Sequence, residues 1–185
     1  MNLLEMIQNP DNMNLVREAG KKFGMGEDDA RNAIGQIVPA LSRGLSRNAS
    51  QPGGMEALLN ALASGNHQRY VDNPEELARP EAIQDGNSIL GHILGSKDVS
   101  RNVAGHAAAQ TGLDPGILKQ MLPMIAAMAM GVLGKQASGA GSLEALRGGG
   151  EGSPSGLPGL LGTLLDSDKD GSIVDDLLGL AKKFF

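Results

Sequence analysis

The sequence predicts an all-α fold: a multihelical bundle built from an internal duplication of a three-helix unit, with a C-terminal helix–acidic loop–helix appendage. Three observations carry this. First, the apolar content comes from Leu, Ala, Met and Ile, and only Phe23, Tyr70, Phe184 and Phe185 are aromatic in 185 residues. Strands favour aromatic and β-branched side chains, so the palette argues for helices. Second, the stretch 112–137 carries no charge between Lys119 and Lys135 and is apolar in nearly every direction around a helix axis. Such a helix has to be buried in a core, a partner or lipid. A span needs about 20 apolar residues, more than this run supplies, so a core helix and no membrane span are expected. Third, sliding the sequence by 88 residues sets Leu15 on Val103, Ala19 on Ala107, Gly24 on Gly112 and Ile37 on Ile125. In the same register Leu45 meets Leu133, and Met55-Glu56-Ala57-Leu58 meets Leu143-Glu144-Ala145-Leu146. That agreement is the signature of a repeat.

Taken in order, Asp11 or Asn12 can cap a first helix over 13–23, which Gly24 ends. A second helix is expected over 28–47. Ala30, Ala33, Ile34, Ile37, Val38, Leu41 and Leu45 share one face of it, while Arg31, Gln36, Arg43 and Arg47 lie elsewhere. Pro39 should bend this helix rather than end it, because the periodicity continues past it. After the turn at 51–54, a third short helix covers 55–63. Between the copies, Pro74 and Pro80 each start a short helix, and 87–95 adds another apolar turn or two. Asp98 caps the helix that opens the second copy. Asp114-Pro115 then starts the central apolar helix, a cap followed by Pro in the first turn. The expected divisions are a first repeat over 1–64, inter-repeat helices over 65–97, and a second repeat over 98–147. A Gly/Ser/Pro linker over 148–158 and the appendage over 159–185 complete the chain.

Composition excludes several function classes. Cysteine is absent, which removes disulfides, thiolate-bound metals and thiol catalysis. Residues 1–70 balance seven basic against seven acidic side chains, and the rest hold nine against fourteen. That leaves no basic footprint for nucleic acid, and a helix-turn-helix role for the three-helix units is a poor third reading. The amino terminus has no basic region before an apolar run, so the expected location is the cytoplasm.

The run Gly65-Asn66-His67-Gln68-Arg69-Tyr70, the stretch Asp85-Gly86-Asn87 with Leu90-Gly91-His92, and Gly112-Leu113-Asp114 before Met121-Leu122-Pro123 resemble the bacterial YidB-like family of unknown function. The ending 165–179 also resembles a tail that many members carry. The resemblance implies a multihelical, internally duplicated fold. It implies no activity, and no catalytic residues come with it.

One motif carries chemistry of its own. Asp166-Ser167-Asp168-Lys169-Asp170-Gly171-Ser172 matches the opening of an EF-hand loop. Alternating aspartates on a tight turn supply the oxygens that Ca2+ needs, and Ser172 would add its carbonyl. The twelfth position is Leu177 instead of the bidentate Glu, so Asp175 or Asp176 would have to close a shortened loop. Affinity is then expected in the weak class, roughly 10⁻⁴ to 10⁻³ M. The alternative is a solvated Asp-Gly turn whose last aspartates cap a C-terminal helix. Ca2+ is the only cofactor expected.

The remaining signals are weaker. His67, His92 and His106 have no metal-ligand spacing. His67, Arg69, Tyr70, Asn87 and His92 are candidates for a polar pocket between the copies, or for pinning a loop. The methionines Met121, Met124, Met128 and Met130 serve either a core or an adaptable partner groove. No nucleophile–base, zinc-helix or phosphate-loop motif appears. The leading expectation is therefore a non-enzymatic structural or protein-interaction module with a weak Ca2+ loop, its partner another protein or a second copy. The alternative is a small-molecule binder or enzyme using the pocket near His67, Arg69 and His92.

Overall fold

Eight helices and no strand make up residues 2–139, the part of the chain that the computed structural model describes. They are α1 (Leu3–Ile7), α2 (Met13–Phe23), α3 (Glu27–Ala49), α4 (Gly54–Ser64), α5 (Arg69–Asp72), α6 (Pro80–Leu94), α7 (Lys97–Thr111) and α8 (Pro115–Gly139). Short 3-10 turns at Pro10–Asn12 and Pro74–Ala78 complete the path. The linker at 148–158 and the acidic loop with Asp166, Asp168, Asp170, Ser172, Asp175 and Asp176 lie outside the described residues.

Local chemistry accounts for most helix ends. Gly24, Gly95 and Gly112 adopt positive φ just past α2, α6 and α7, where an L side chain would be strained. Asp114 accepts from the amides of Gly116 (2.8 Å) and Ile117 (3.0 Å), capping α8 as the sequence predicts. Glu27, Asp28 and Asp29 place negative charge at the positive end of α3. Pro39 and Pro123 both lie inside helices that continue through them.

Three expectations need correction. Ser96, not Asp98, caps α7, its hydroxyl accepting from the Val99 amide at 3.2 Å; Asp98 sits in the first turn and bonds Arg101 instead. The separate pieces expected from Pro80 and from Asn87 are one continuous helix, α6; the Asp85 carboxylate accepts from Arg69 and Tyr70 of α5 instead of capping a new helix. Finally, α1 is an element that the sequence reading lacked. Asn2 and Glu5 form a reciprocal capping box, and Leu3, Met6 and Ile7 are buried beneath it.

The core is centred on α8, which packs against each of the other seven helices. Every residue from 121 to 134 is buried, including Met121, Met124, Met128 and Met130. α8 is also long and apolar enough to cross a membrane, but 78% of its most apolar window is buried inside the fold. Burial by helices on all sides accounts for the missing polar face. Its closest neighbour is α6, where Gly86 lies directly on the Pro123 backbone carbonyl. Under the 88-residue shift, Glu27 at the start of α3 falls on Pro115 at the start of α8, and Gly24 on Gly112.

A candidate polar cleft beside α4 and α6

The loop that precedes α5 is fastened to α8 from both sides. The Gln68 side-chain amide donates to the Gly134 carbonyl at 3.0 Å and to the Ser138 hydroxyl at 2.6 Å. Gly131 leaves room for the His67 carbonyl and for Val71, where a Cβ would collide. This anchoring fixes His67, Arg69 and Tyr70 over the middle of α6.

There the side chains converge on one carboxylate oxygen. Tyr70, fully buried, donates its hydroxyl to Asp85 Oδ2 at 2.5 Å. Arg69 Nη2 donates to the same oxygen at 3.0 Å and to the Tyr70 hydroxyl oxygen at 2.7 Å. His67 Nδ1 stands 3.9 Å from Asp85 Oδ2, and its ring lies roughly parallel to that of Tyr70, 6.3 Å away. The Arg69 guanidinium covers the Tyr70 ring at 4.8 Å, within cation–π range. Arg69 Nε is buried without a hydrogen bond, 3.8 Å from Glu76 Oε2.

This network borders a cleft of ≈ 270 Å³ whose walls are mostly apolar: Leu45, Leu58, Ile89, Ile93 and Met130. His67, Asp85, Ser88 and His92 supply its polar rim. The carbonyl of His92, near the end of α6, accepts from the Asn48 side chain at 2.9 Å, which ties that end of α6 to α3. Ser88 Oγ donates to the Gln84 carbonyl at 3.2 Å, and His92 Nδ1 meets the Ser88 carbonyl, not its hydroxyl, at 2.8 Å.

Of the pocket residues named from sequence, His67 and His92 share this cleft, and Arg69 and Tyr70 support it through Asp85. Asn87 does not join them. It lines a separate depression on the other side of α6, because successive helical residues point about 100° apart. His106 is exposed on α7. The residues that sequence reading missed are Asp85, the hub, together with Gln68 and Glu76. Among the described residues, no group of three or more His, Asp or Glu is placed to hold a metal.

Burial sets the protonation of the site. Desolvation lowers the pKa of His67 below 6.5; Arg69 assists, and attraction to Asp85 opposes the shift. The native state therefore favours neutral imidazole. The stability this confers is present above pH 6.5 and is lost as pH falls through the lower, folded value. In urea titrations the midpoint is expected to decline from pH 6.5 downward, with a shallower slope in His67→Gln. Equal slopes in the two proteins would remove His67 from the account.

No curated protein and no solved structure matches the chain. The family comparison covers the described helices and stops short of the acidic tail. Matched over residues 5–136 by the family of bacterial proteins of unknown function (DUF937), of which YidB is a member, the chain belongs to that family.

Proposed function

We propose that this protein is a non-enzymatic binding module whose cleft between α4 and α6 takes a small, mainly apolar molecule with one hydrogen-bond-donating end. The observation that carries this reading is the convergence of His67, Asp85 and His92 on one apolar-walled cleft. Pockets of this kind bind through apolar walls, and a few polar groups fix orientation. Neutral His67 offers an acceptor nitrogen, while the Asp85 charge is already balanced by Arg69, so an alcohol or amine suits the rim better than an anion. A non-catalytic role is supported by the disposition of Ser88 and His92, which bond to backbone carbonyls and not to each other's reactive atoms.

The test is a nuclear magnetic resonance titration of the full chain with 2-phenylethanol, phenethylamine and phenylacetate. The alcohol or amine should shift the His67 and His92 ring signals and the Met130 methyl, and Met130→Trp should abolish the histidine shifts. Shifts confined to other methionines, or phenylacetate binding best, would refute the cleft as the site.

Two finer elements belong to the same proposal. The coincident starts of α3 and α8, and the paired Gly24 and Gly112 turns before them, support descent of the bundle from a duplicated three-helix unit. The alternating aspartates at 166, 168 and 170 support a weak Ca2+ site in the tail. Calorimetry of wild type beside Asp168→Ala and Asp170→Ala tests it; no heat from wild type at millimolar Ca2+ would dispose of the site. An interaction role is the second reading, and a different face of the molecule favours it.

A further inference from the structure

A broad depression lies on the far side of α6 from the cleft. It measures ≈ 810 Å³ and runs between the end of α6, the start of α7 and the first turns of α8. Its floor is apolar, with Leu90, Leu122 and Pro123, and its rim carries Lys97, Arg101 and Lys119. Among the described residues, no carboxylate lines it. Arg101 is paired with Asp98 at 2.6 Å, both side chains being largely exposed, whereas Lys97 and Lys119 have no acidic partner among the described residues. Gly91 and Gly95 leave open space at the edge, where side chains would narrow the entrance. A concave basic face is unexpected in a chain of net charge −5. It calls for an anionic occupant with some apolar surface.

The same chain contains one. The segment 166–176 holds Asp166, Asp168, Asp170, Asp175 and Asp176 against a single Lys169, with Ile173 among them and Leu164, Leu165 and Leu177 at its edges. The covalent reach is ample. From Lys119 to Gly139, α8 rises about 30 Å at 1.5 Å per residue. The 27 residues from Gly139 to Asp166 can extend up to about 90 Å. Tethering makes the encounter intramolecular, so modest charge attraction suffices to fill the face. We propose that the acidic segment 166–176 docks on the Lys97–Arg101–Lys119 face of its own chain. An outside acidic partner would then have to displace it. This does not rest on the cleft reading, since the two surfaces lie on opposite sides of α6.

The absence of cysteine permits a clean test on the full chain. A nitroxide on Ser167→Cys should broaden the amide signals of Ser96, Lys97, Arg101 and Lys119 at least about twofold more than those of α2 at low salt. The excess should disappear near 0.5 M salt, where the screening length is about 4 Å. It should also disappear in Lys97→Glu/Lys119→Glu, whose two sites are exposed and whose fold the same spectrum monitors. Equal broadening of both regions would overturn the proposal, as would an excess that survives charge reversal. Broadening that appears only between differently labelled copies would assign the face to another molecule's tail and overturn the intrachain contact.

Discussion

Replacing Gly86 with alanine is expected to destabilise the protein by about 3 kcal/mol, lowering Tm by about 10 °C. The sign is the informative part. In a helix interior, Gly→Ala ordinarily stabilises by about 0.5–1 kcal/mol, because glycine loses more backbone entropy on folding. At Gly86 the added Cβ would land on the carbonyl oxygen and carbon of Pro123, backbone atoms that cannot rotate away. α6 would have to lift from α8 along the most extensive helix–helix contact in the fold. Gly91 provides the internal control. It lies in the same helix and is exposed, and nothing would stand within 4 Å of its Cβ. Gly91→Ala should therefore raise the urea midpoint while Gly86→Ala lowers it, and Gly86→Val should abolish the cooperative transition. If both alanine variants were stabilised, the close approach of α6 and α8 would be wrong.

This pair of glycines also marks where sequence reading succeeds and where it stops. The burial of α8 is legible because a helix without a polar face has only a core to go to, and Met121 to Leu133 are buried as that rule requires. The ends at Gly24 and Gly112 are legible because left-handed caps are written in local chemistry. Asp85-Gly86-Asn87 is different. The sequence pattern starts one short piece at Pro80 and another at Asn87, so these three residues fall at the expected break. Their real roles are set by neighbours distant in sequence: Asp85 faces Tyr70 and Arg69, Gly86 faces Pro123, and Asn87 faces the basic depression. Helical geometry sends three adjacent residues to three surfaces, which no local pattern records. The candidate cleft was accordingly legible in its histidines and illegible in its hub.

Asp85→Ala is the test of that hub, and a loss of about 2–3 kcal/mol is expected. Tyr70 is fully buried, and without Asp85 its hydroxyl proton has no acceptor. Arg69 would lose its close carboxylate and keep the Tyr70 hydroxyl oxygen and, at 3.8 Å from Nε, Glu76. Hydrogen bonds to charged groups contribute about 1.5–3 kcal/mol each, but Asp85 and Arg69 side chains are 36% and 35% exposed, so the sum is discounted for solvent screening. Tyr70→Phe should cost less, about 1 kcal/mol, since Asp85 keeps Arg69 and gains water. In the double variant the two losses should fall short of additive by about 1 kcal/mol or more, as expected for groups in one network. The chain has a single tyrosine and no tryptophan, so phenolate absorbance reports this site alone. Burial, and then the bond to Asp85, raise the Tyr70 pKa above 10. The resulting stabilisation is full below pH 10 and is lost as pH rises through the folded value. Removing Asp85 withdraws the second cause and leaves the first. The phenol of Asp85→Ala should therefore titrate earlier than wild type, and stability should decline less steeply above pH 10 than in wild type. An unchanged phenol titration would mean that Asp85 does not hold Tyr70, and the cleft would lose the polar anchor that the binding proposal requires.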